Sequence, residues 1–222
     1  MKVVIGIGGS ILASPIDVEY IKRFANFLIK LHRRGYKLMV VVGGGRVARE
    51  YIAGAQKLGA PDELCDEIGI ALTRVNAILL QAGLGGHVVK RIPMEVEKTR
   101  DFEGILVMGG TKPGQTTDAV AAQLAWLNEA ELLLIASNVD GVYDSDPNVN
   151  PKARLYPRLS TSELLDLASK KEHTPGYTSI IDPVAAELIH NKKIKTVVVN
   201  GRALDNMKKA ITGASYKGTL IS

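Results

Sequence analysis

Short apolar runs that end in glycine clusters constrain this chain more than any other feature. Residues 3–7 lead into GIGGS at 6–10, and 37–42 lead into GGGR at 43–46. Residues 105–108 lead into GGTKPGQTTD at 109–118, with an Ala-rich run at 119–125 behind it. A strand, a glycine turn and a helix in that order leave unpaired N–H groups and a positive dipole end at the turn, which together hold phosphate well. Glycine lets the backbone come close to a ligand, and Thr111, Thr116 and Thr117 add hydroxyls. Three such turns point to a protein that grips more than one phosphate group.

The same rhythm runs along the rest of the chain. Ser14-Pro15 is expected to open a helix, proline in its first turn, that reaches about Arg34 and stops at Gly35. Helices are expected over 46–57 and, past Gly59 and Pro61, to about Gln81. Residues 87–92 read as a strand-like edge, with a short polar helix near 94–100. After a strand at 132–136 comes SNVDGVYDSDP at 137–147, rich in turn formers. Ser160 to Glu163 has the pattern of a capping box before a helix at 164–170. KEHTPGYTS at 171–179 reads as a mobile loop, and Asp182-Pro183 caps a helix to about Asn191. A strand at 196–199, a helix at 204–211 and a strand at 218–221 follow.

Strands apolar on both faces, alternating with helices, predict an α/β fold: a mostly parallel central sheet sandwiched between helices. Ligands then belong at the C-terminal ends of the strands, where the glycine turns fall. The length of 222 residues suits one α/β domain or two small lobes, and the hydrophobic share of 46% suffices for a core. No uninterrupted apolar run approaches the ~20 residues that span a bilayer, and the opening MKVVIGIGGS reads as a first strand rather than a signal peptide. A single cysteine, Cys65, has no partner for an internal disulfide, so a reducing cytoplasm is expected. His32, His87, His173 and His190 are scattered without metal-ligand spacing, so no protein-held metal is expected.

The formal net charge of +5 suits anionic small molecules and nucleic acid alike. The basic clusters (His32, Arg33, Arg34; Lys192, Lys193, Lys195; Lys208, Lys209) have no aromatics interleaved, which reads as a solvated surface and not a nucleic-acid groove. Residues 109–116 nearly match a Walker loop, but Gln115 stands where the lysine belongs. GIGGS likewise lacks the third glycine of the dinucleotide fingerprint.

GGS at 8–10, VVGGGRVAREYI at 41–52, GIALTRVNA at 69–77, MGGTKPGQTTDAVAA at 108–122 and SNVDGVYDSDP at 137–147 resemble the amino acid kinase family over essentially the whole chain. Within it they are similar to the archaeal branch that phosphorylates UMP. The resemblance implies one domain, 1–222, with an acceptor lobe over about 1–130 and an ATP lobe over about 131–222. It implies that Gly9, Ser10, Gly45 and Arg49 meet the ATP phosphates, and that Ser137, Asn138, Tyr143 and Asp146 hold the adenosine. Gly44 would touch UMP, Asp66 would bind its ribose, and Thr111, Lys112, Pro113, Gly114, Gln115, Thr116 and Thr117 would wrap it. Arg49 and Lys112 would neutralise charge in the transfer, and Asp140 would organise the phosphate region. ATP would bring Mg²⁺, and a homo-oligomer, a hexamer, is implied. The apolar positions Ile21, Phe24, Phe27, Leu28 and Leu31 could serve that assembly or the core.

One position departs from the family. A lysine common two residues before the first glycine pair is Gly6 here. Two rival readings therefore stand beside the first: a family member acting on another phosphate or carboxylate, such as isopentenyl phosphate, and a non-catalytic nucleotide sensor or store. Residue by residue, plainer roles are also open. Gly43 to Gly45 could only make a tight turn, Thr117 only cap a helix, Asp66 only charge a helix surface, and Arg74 only pair with a carboxylate or face solvent.

Overall fold

The computed structural model describes residues 1–13, 15–169 and 181–222. Ser14 and the expected loop at 171–179, with His173, lie outside the described residues. Seven strands form one sheet: β1 Lys2–Ile7, β2 Lys37–Val42, β3 Leu106–Met108, β4 Leu132–Ser137, β5 Arg158–Leu159, β6 Thr196–Asn200 and β7 Thr219–Ile221. Their order is β3-β2-β1-β4-β6-β7-β5. All pairings are parallel except β6 with β7. The helices are α1 Gly9–Leu12, α2 Val18–His32, α3 Gly45–Lys57, α4 Asp62–Leu84, α5 Thr117–Leu127, α6 Thr161–Ser169, α7 Pro183–Lys192 and α8 Leu204–Thr212.

Because successive strand side chains point to opposite faces, the doubly apolar strands build two cores. Val3, Ile5, Ile7, Leu38, Val40 and Val42 pack on one face beneath α2, α4 and α8. Val4, Met39, Val41, Leu133 and Ile135 pack on the other beneath α5, α6 and α7. This is the sandwich expected from the sequence. The order in which strands are added reverses at β1, whose two parallel neighbours are β2 and β4. Such a reversal leaves a crevice at the C-terminal strand edge.

Several boundaries differ from the sequence reading. Helix α2 begins at Val18, capped by the Asp17 carboxylate, which accepts from the Tyr20 N–H at 2.9 Å. That cap replaces the start expected at Ser14-Pro15. Residues 87–92 form no strand: a 3₁₀ turn at Gly85–His87 leads to one bridge, Val88 with Ile105. The two-residue β5, too short to show a pattern, escaped the sequence reading. The capping box forms, with Ser160 N–H donating to Glu163 Oε2 at 2.7 Å and Glu163 N–H donating to Ser160 Oγ at 3.1 Å. Ile21, Phe24, Phe27, Leu28 and Leu31 all lie in the protomer's own core.

Candidate active site

The three glycine turns interlock at the C-terminal edge of the sheet. Gly8 N–H donates to Ala136 O at 3.3 Å and Gly43 N–H donates to Ile7 O at 2.9 Å, so the first turn is held between the ends of β2 and β4. A side chain at Gly9 would collide with the Gly43 carbonyl oxygen and the Gly45 nitrogen. One at Gly43 would come within 2.8 Å of Gly9 N and 3.3 Å of Thr117 Oγ1. Bare backbone is therefore required where the three turns meet. They line a cleft of about 590 Å³. Its walls include Gly9, Ser10, Gly44, Gly45, Arg49, Asp66, Lys112, Gly114, Gln115, Thr116 and Thr117 from the sequence-derived set, but not Thr111 or Pro113.

Helix α4 clamps two of these turns by their backbones. Asn76 Nδ2 donates to Gly43 O at 2.8 Å and to Gly44 O at 3.1 Å. Thr73 Oγ1 accepts from Gly110 N–H and donates to Ile70 O, both at 2.6 Å. Arg74 Nε donates to Gly110 O at 3.1 Å and Nη2 to Thr111 O at 3.3 Å. Arg74 thus holds a loop by its carbonyls, in place of the carboxylate or solvent expected for it. One helical turn and more toward the start of α4, Asp66 Oδ2 accepts from Gly114 N–H at 2.6 Å. Gly114 sits at φ +75, a conformation glycine adopts freely, which turns that N–H toward Asp66. Thr73 and Asn76 were invisible as site residues, because their partners are backbone atoms far away in sequence.

Two helix starts converge on the same cleft. Thr116, not Thr117, caps α5: its Oγ1 accepts from Ala119 N–H at 3.1 Å. The same hydroxyl donates to Asp182 Oδ2, while Asp182 Oδ1 caps α7 by accepting from Val184 and Ala185 N–H at 3.0 and 3.1 Å. Asp118 lies beside them, half-buried. Burial, with the Asp182 charge second, pushes its carboxyl up to about 7. A side chain built at Gly6 would reach within 3.7 Å of Asp118 Oδ1. The same side chain would press on Ile135 Cδ1 at 3.2 Å and Ala121 Cβ at 3.3 Å, so this chain closes over position 6 with apolar packing and brings no cation there.

The second predicted set stands apart from this cleft. Ser137 ends β4, Asn138, Asp140, Tyr143 and Asp146 follow it, and all five are absent from the cleft's walls. Asp140 receives Lys217 Nζ at 2.6 Å and Asn200 Nδ2 at 3.2 Å. The Lys217 ammonium, with the Asn200 amide, holds its carboxyl below the usual carboxylate range against a smaller opposing push from burial. Asp146 Oδ1 folds its own turn, accepting from Asn148 N–H at 2.9 Å and Nδ2 at 3.0 Å. Lys217 and Asn200, which anchor Asp140, were not anticipated from the sequence. Asn200 ends β6 and Lys217 stands just before β7, both far from Asp140 in the chain.

The amino acid kinase family model matches residues 1–200. The chain is 42% identical to a uridylate kinase of Methanocaldococcus jannaschii, covering all of this chain and 99% of that one. It is 45% identical to a uridylate kinase of Methanothrix thermoacetophila, again over 100% and 99%. The crystal structure of a uridylate kinase from Archaeoglobus fulgidus superposes over the full length of both chains with a TM-score of 0.88 at 42% identity.

Proposed function

The chain belongs to the amino acid kinase family, and from that premise we propose that it transfers the γ-phosphoryl group of ATP to UMP, releasing UDP and ADP. The observation that carries this reading is the single cleft in which three strand-end glycine turns meet a loop pinned at Gly114 by Asp66. Backbone N–H groups and helix starts supply an anion seat wide enough for a phosphate donor and a phosphate acceptor. Full-length similarity to uridylate kinases supports UMP as the acceptor.

In this reading a phosphate oxygen of UMP attacks the γ-phosphorus as the bond to the bridging β,γ-oxygen breaks, and ADP leaves. The UMP phosphate is anionic at neutral pH, so the step needs no general base; positioning and charge neutralisation do the rest. Arg49 and Lys112 supply that charge. Gly9, Ser10 and Gly45 hold ATP phosphates, and Gly44, Asp66 and the 111–117 loop hold UMP, with Asp66 Oδ1 left to accept from the ribose. Ser137, Asn138, Tyr143 and Asp146 receive the adenosine, and Asp140, fixed by Lys217 and Asn200, supports the phosphate side. On this assignment 1–130 is the acceptor lobe and 131–222 the ATP lobe of one domain.

ATP is assigned with Mg²⁺, held mainly by its phosphates. The chain fits such an ion. Three carboxylates line the cleft, Asp66, Asp118 and Asp182, and the last two repel one another in a way that a nearby cation relieves. When bound, the ion neutralises phosphate charge. We place the protein in the cytoplasm as a homo-oligomer, a hexamer, acting on UMP and ATP with no nucleic acid or membrane partner. Helix α4 is long and apolar enough to cross a membrane by length and composition, with 22% of that stretch buried. Its bonds to the glycine turns make it a layer of the domain instead.

ADP release with UMP, CMP, dUMP and isopentenyl phosphate tests the assignment. UMP is expected to turn over fastest. Equal or faster turnover of isopentenyl phosphate would reject it, and no turnover of any acceptor would favour a sensor.

A further inference from the structure

A second concavity shares no lining residue with the cleft just described. Helices α2 and α8 cover the same sheet face, and the furrow between them encloses about 960 Å³. Its floor is apolar, formed by Phe27, Leu31 and Leu204. Its rims carry Arg23, Lys30, Arg33 and Arg34 from α2 and its C-terminal cap, and Lys208 and Lys209 from α8. Two basic clusters that are far apart in the chain thus face each other. Asp205 is the one acidic residue in the furrow's lining. None of these six cations takes part in a salt bridge among the described residues.

A seventh cation, Arg202, shows what a compensated position here looks like. It is bonded to Asp17 Oδ2 at 2.6 Å and lies 4.8 Å from the centre of the Tyr20 ring. Arg23 shares that ring, 5.8 Å from its centre, and the charge of Asp17. The other five, Lys30, Arg33, Arg34, Lys208 and Lys209, face only Asp205 across the furrow, and a bound anion would relieve their mutual repulsion. The start of α8 adds to this. Its N-cap, Ala203, has no side-chain bond to the first-turn N–H groups, and Ala203, Leu204, Asp205 and Asn206 all line the furrow. An uncapped helix start and a converging set of cations are independent features with the same preference, for several adjacent negative charges. From Arg23 to Arg34 the rim runs roughly 16 Å along α2, at 1.5 Å per residue, the length of a small molecule and not of a long polymer track.

We propose that the α2–α8 furrow is a second ligand site, separate from the active-site cleft, that binds a small linear polyphosphate such as the triphosphate chain of a nucleoside triphosphate. The loop at its head also reaches the opposite cluster: Asn200 Oδ1 accepts from Arg202 N–H at 2.9 Å while Asn200 Nδ2 donates to Asp140. Occupancy of the furrow is thereby joined by one side chain to the Asp140–Lys217 pair.

The test uses inorganic tripolyphosphate and the intact protein, with acetylation of lysine amines read by mass spectrometry. Tripolyphosphate is expected to protect Lys30, Lys208 and Lys209, while exposed Lys57, on α3, reacts at an unchanged rate. Calorimetric titration of the Arg33→Glu, Arg34→Glu double variant should show binding at least about tenfold weaker, the loss expected when charge-assisted contacts go. Those residues lie at the solvent end of α2, so the variant keeps its circular dichroism and its turnover without tripolyphosphate. A nucleoside triphosphate that protects Lys30, Lys208 and Lys209 at lower concentration than tripolyphosphate does would identify the base as part of the ligand. Equal acetylation with and without tripolyphosphate, unchanged affinity in the double variant, or tighter binding of a single-stranded oligonucleotide would each overturn the proposal.

Discussion

Arg49 stands one helical turn past Gly45 and lines the cleft together with Lys112, and no salt bridge among the described residues holds either of them. With no lysine at Gly6, the proposed reaction assigns these two cations to the charge that develops on the transferring group. A guanidinium grips two phosphate oxygens at once, so Arg49 is the stronger candidate. Arg49→Ala is expected to lower kcat by about 10²-fold with much smaller changes in the KM values, as for loss of a group acting mainly in the transition state. Steady-state kinetics decide this, and a larger loss in Lys112→Ala would transfer the role. Asp118 gives a second residue-scale test. Its folded carboxyl is raised to about 7 by burial and by Asp182. Between the ordinary carboxylate range and that value, the folded chain holds a proton that the unfolded chain has released. Stability therefore falls as pH rises through this window. Asp118→Asn removes the titration. Melting temperatures measured from pH 5 to pH 8 should fall less in the variant than in the parent, and parallel curves would contradict the assignment.

Helix α4 shows how an element converts one face into site geometry. Thr73, Arg74 and Asn76 hold the backbones of two turns, while Ala77, Leu80 and Leu84 anchor the helix in the core. Thr73→Val keeps the shape but leaves Gly110 N–H buried without its acceptor, at a cost of about 1–3 kcal/mol. Because Gly110 opens the loop assigned to UMP, the KM for UMP should rise several-fold while that for ATP stays close to its parent value. A rise confined to ATP would detach the loop from the acceptor. The strands, the layer order and the cleft's position were legible in the sequence because doubly apolar runs and glycine turns are local signals. The clamp was not. Thr73 and Asn76 in the TRVN stretch act on Gly110 and Gly43 through contacts that only the fold creates. The start of α2 was misplaced because Asp17 outcompeted Ser14-Pro15 as a cap, and residues 87–92 failed to form a strand because only Val88 finds a partner, in Ile105.

At the scale of the whole molecule, the structure decides between the two uses the sequence left open for the apolar positions of α2. The apolar positions of α2 are spent inside the protomer. On α4, however, Leu64, Val75 and Ile78 are 45%, 56% and 57% exposed, and Tyr51 and Leu58 of α3 are 63% and 90% exposed beside them. Leu64, Ile68, Ala71, Val75 and Ile78 follow spacings of four, three, four and three, the stripe of a helix that packs lengthwise on another helix. A stripe of that kind is self-complementary about a two-fold axis, so the simplest occupant is α4 of a second copy. A hexamer would then be three such pairs. Each exposed residue buried there adds roughly 1–2 kcal/mol at ~25 cal/mol per Å² of apolar surface, and a charge in the middle of the stripe forfeits that gain and adds a desolvation cost. The Val75→Asp, Ile78→Asp double variant is therefore expected to sediment as a smaller species than the parent, with its circular dichroism retained because both side chains point away from the protomer core. Asp66, Thr73 and Asn76 lie on the same helix, so loss of the partner should also loosen the acceptor loop and raise the KM for UMP. Sedimentation that is unchanged in the double variant would remove α4 from the interface, and dissociation without any change in KM would show that the clamp stands without its neighbour.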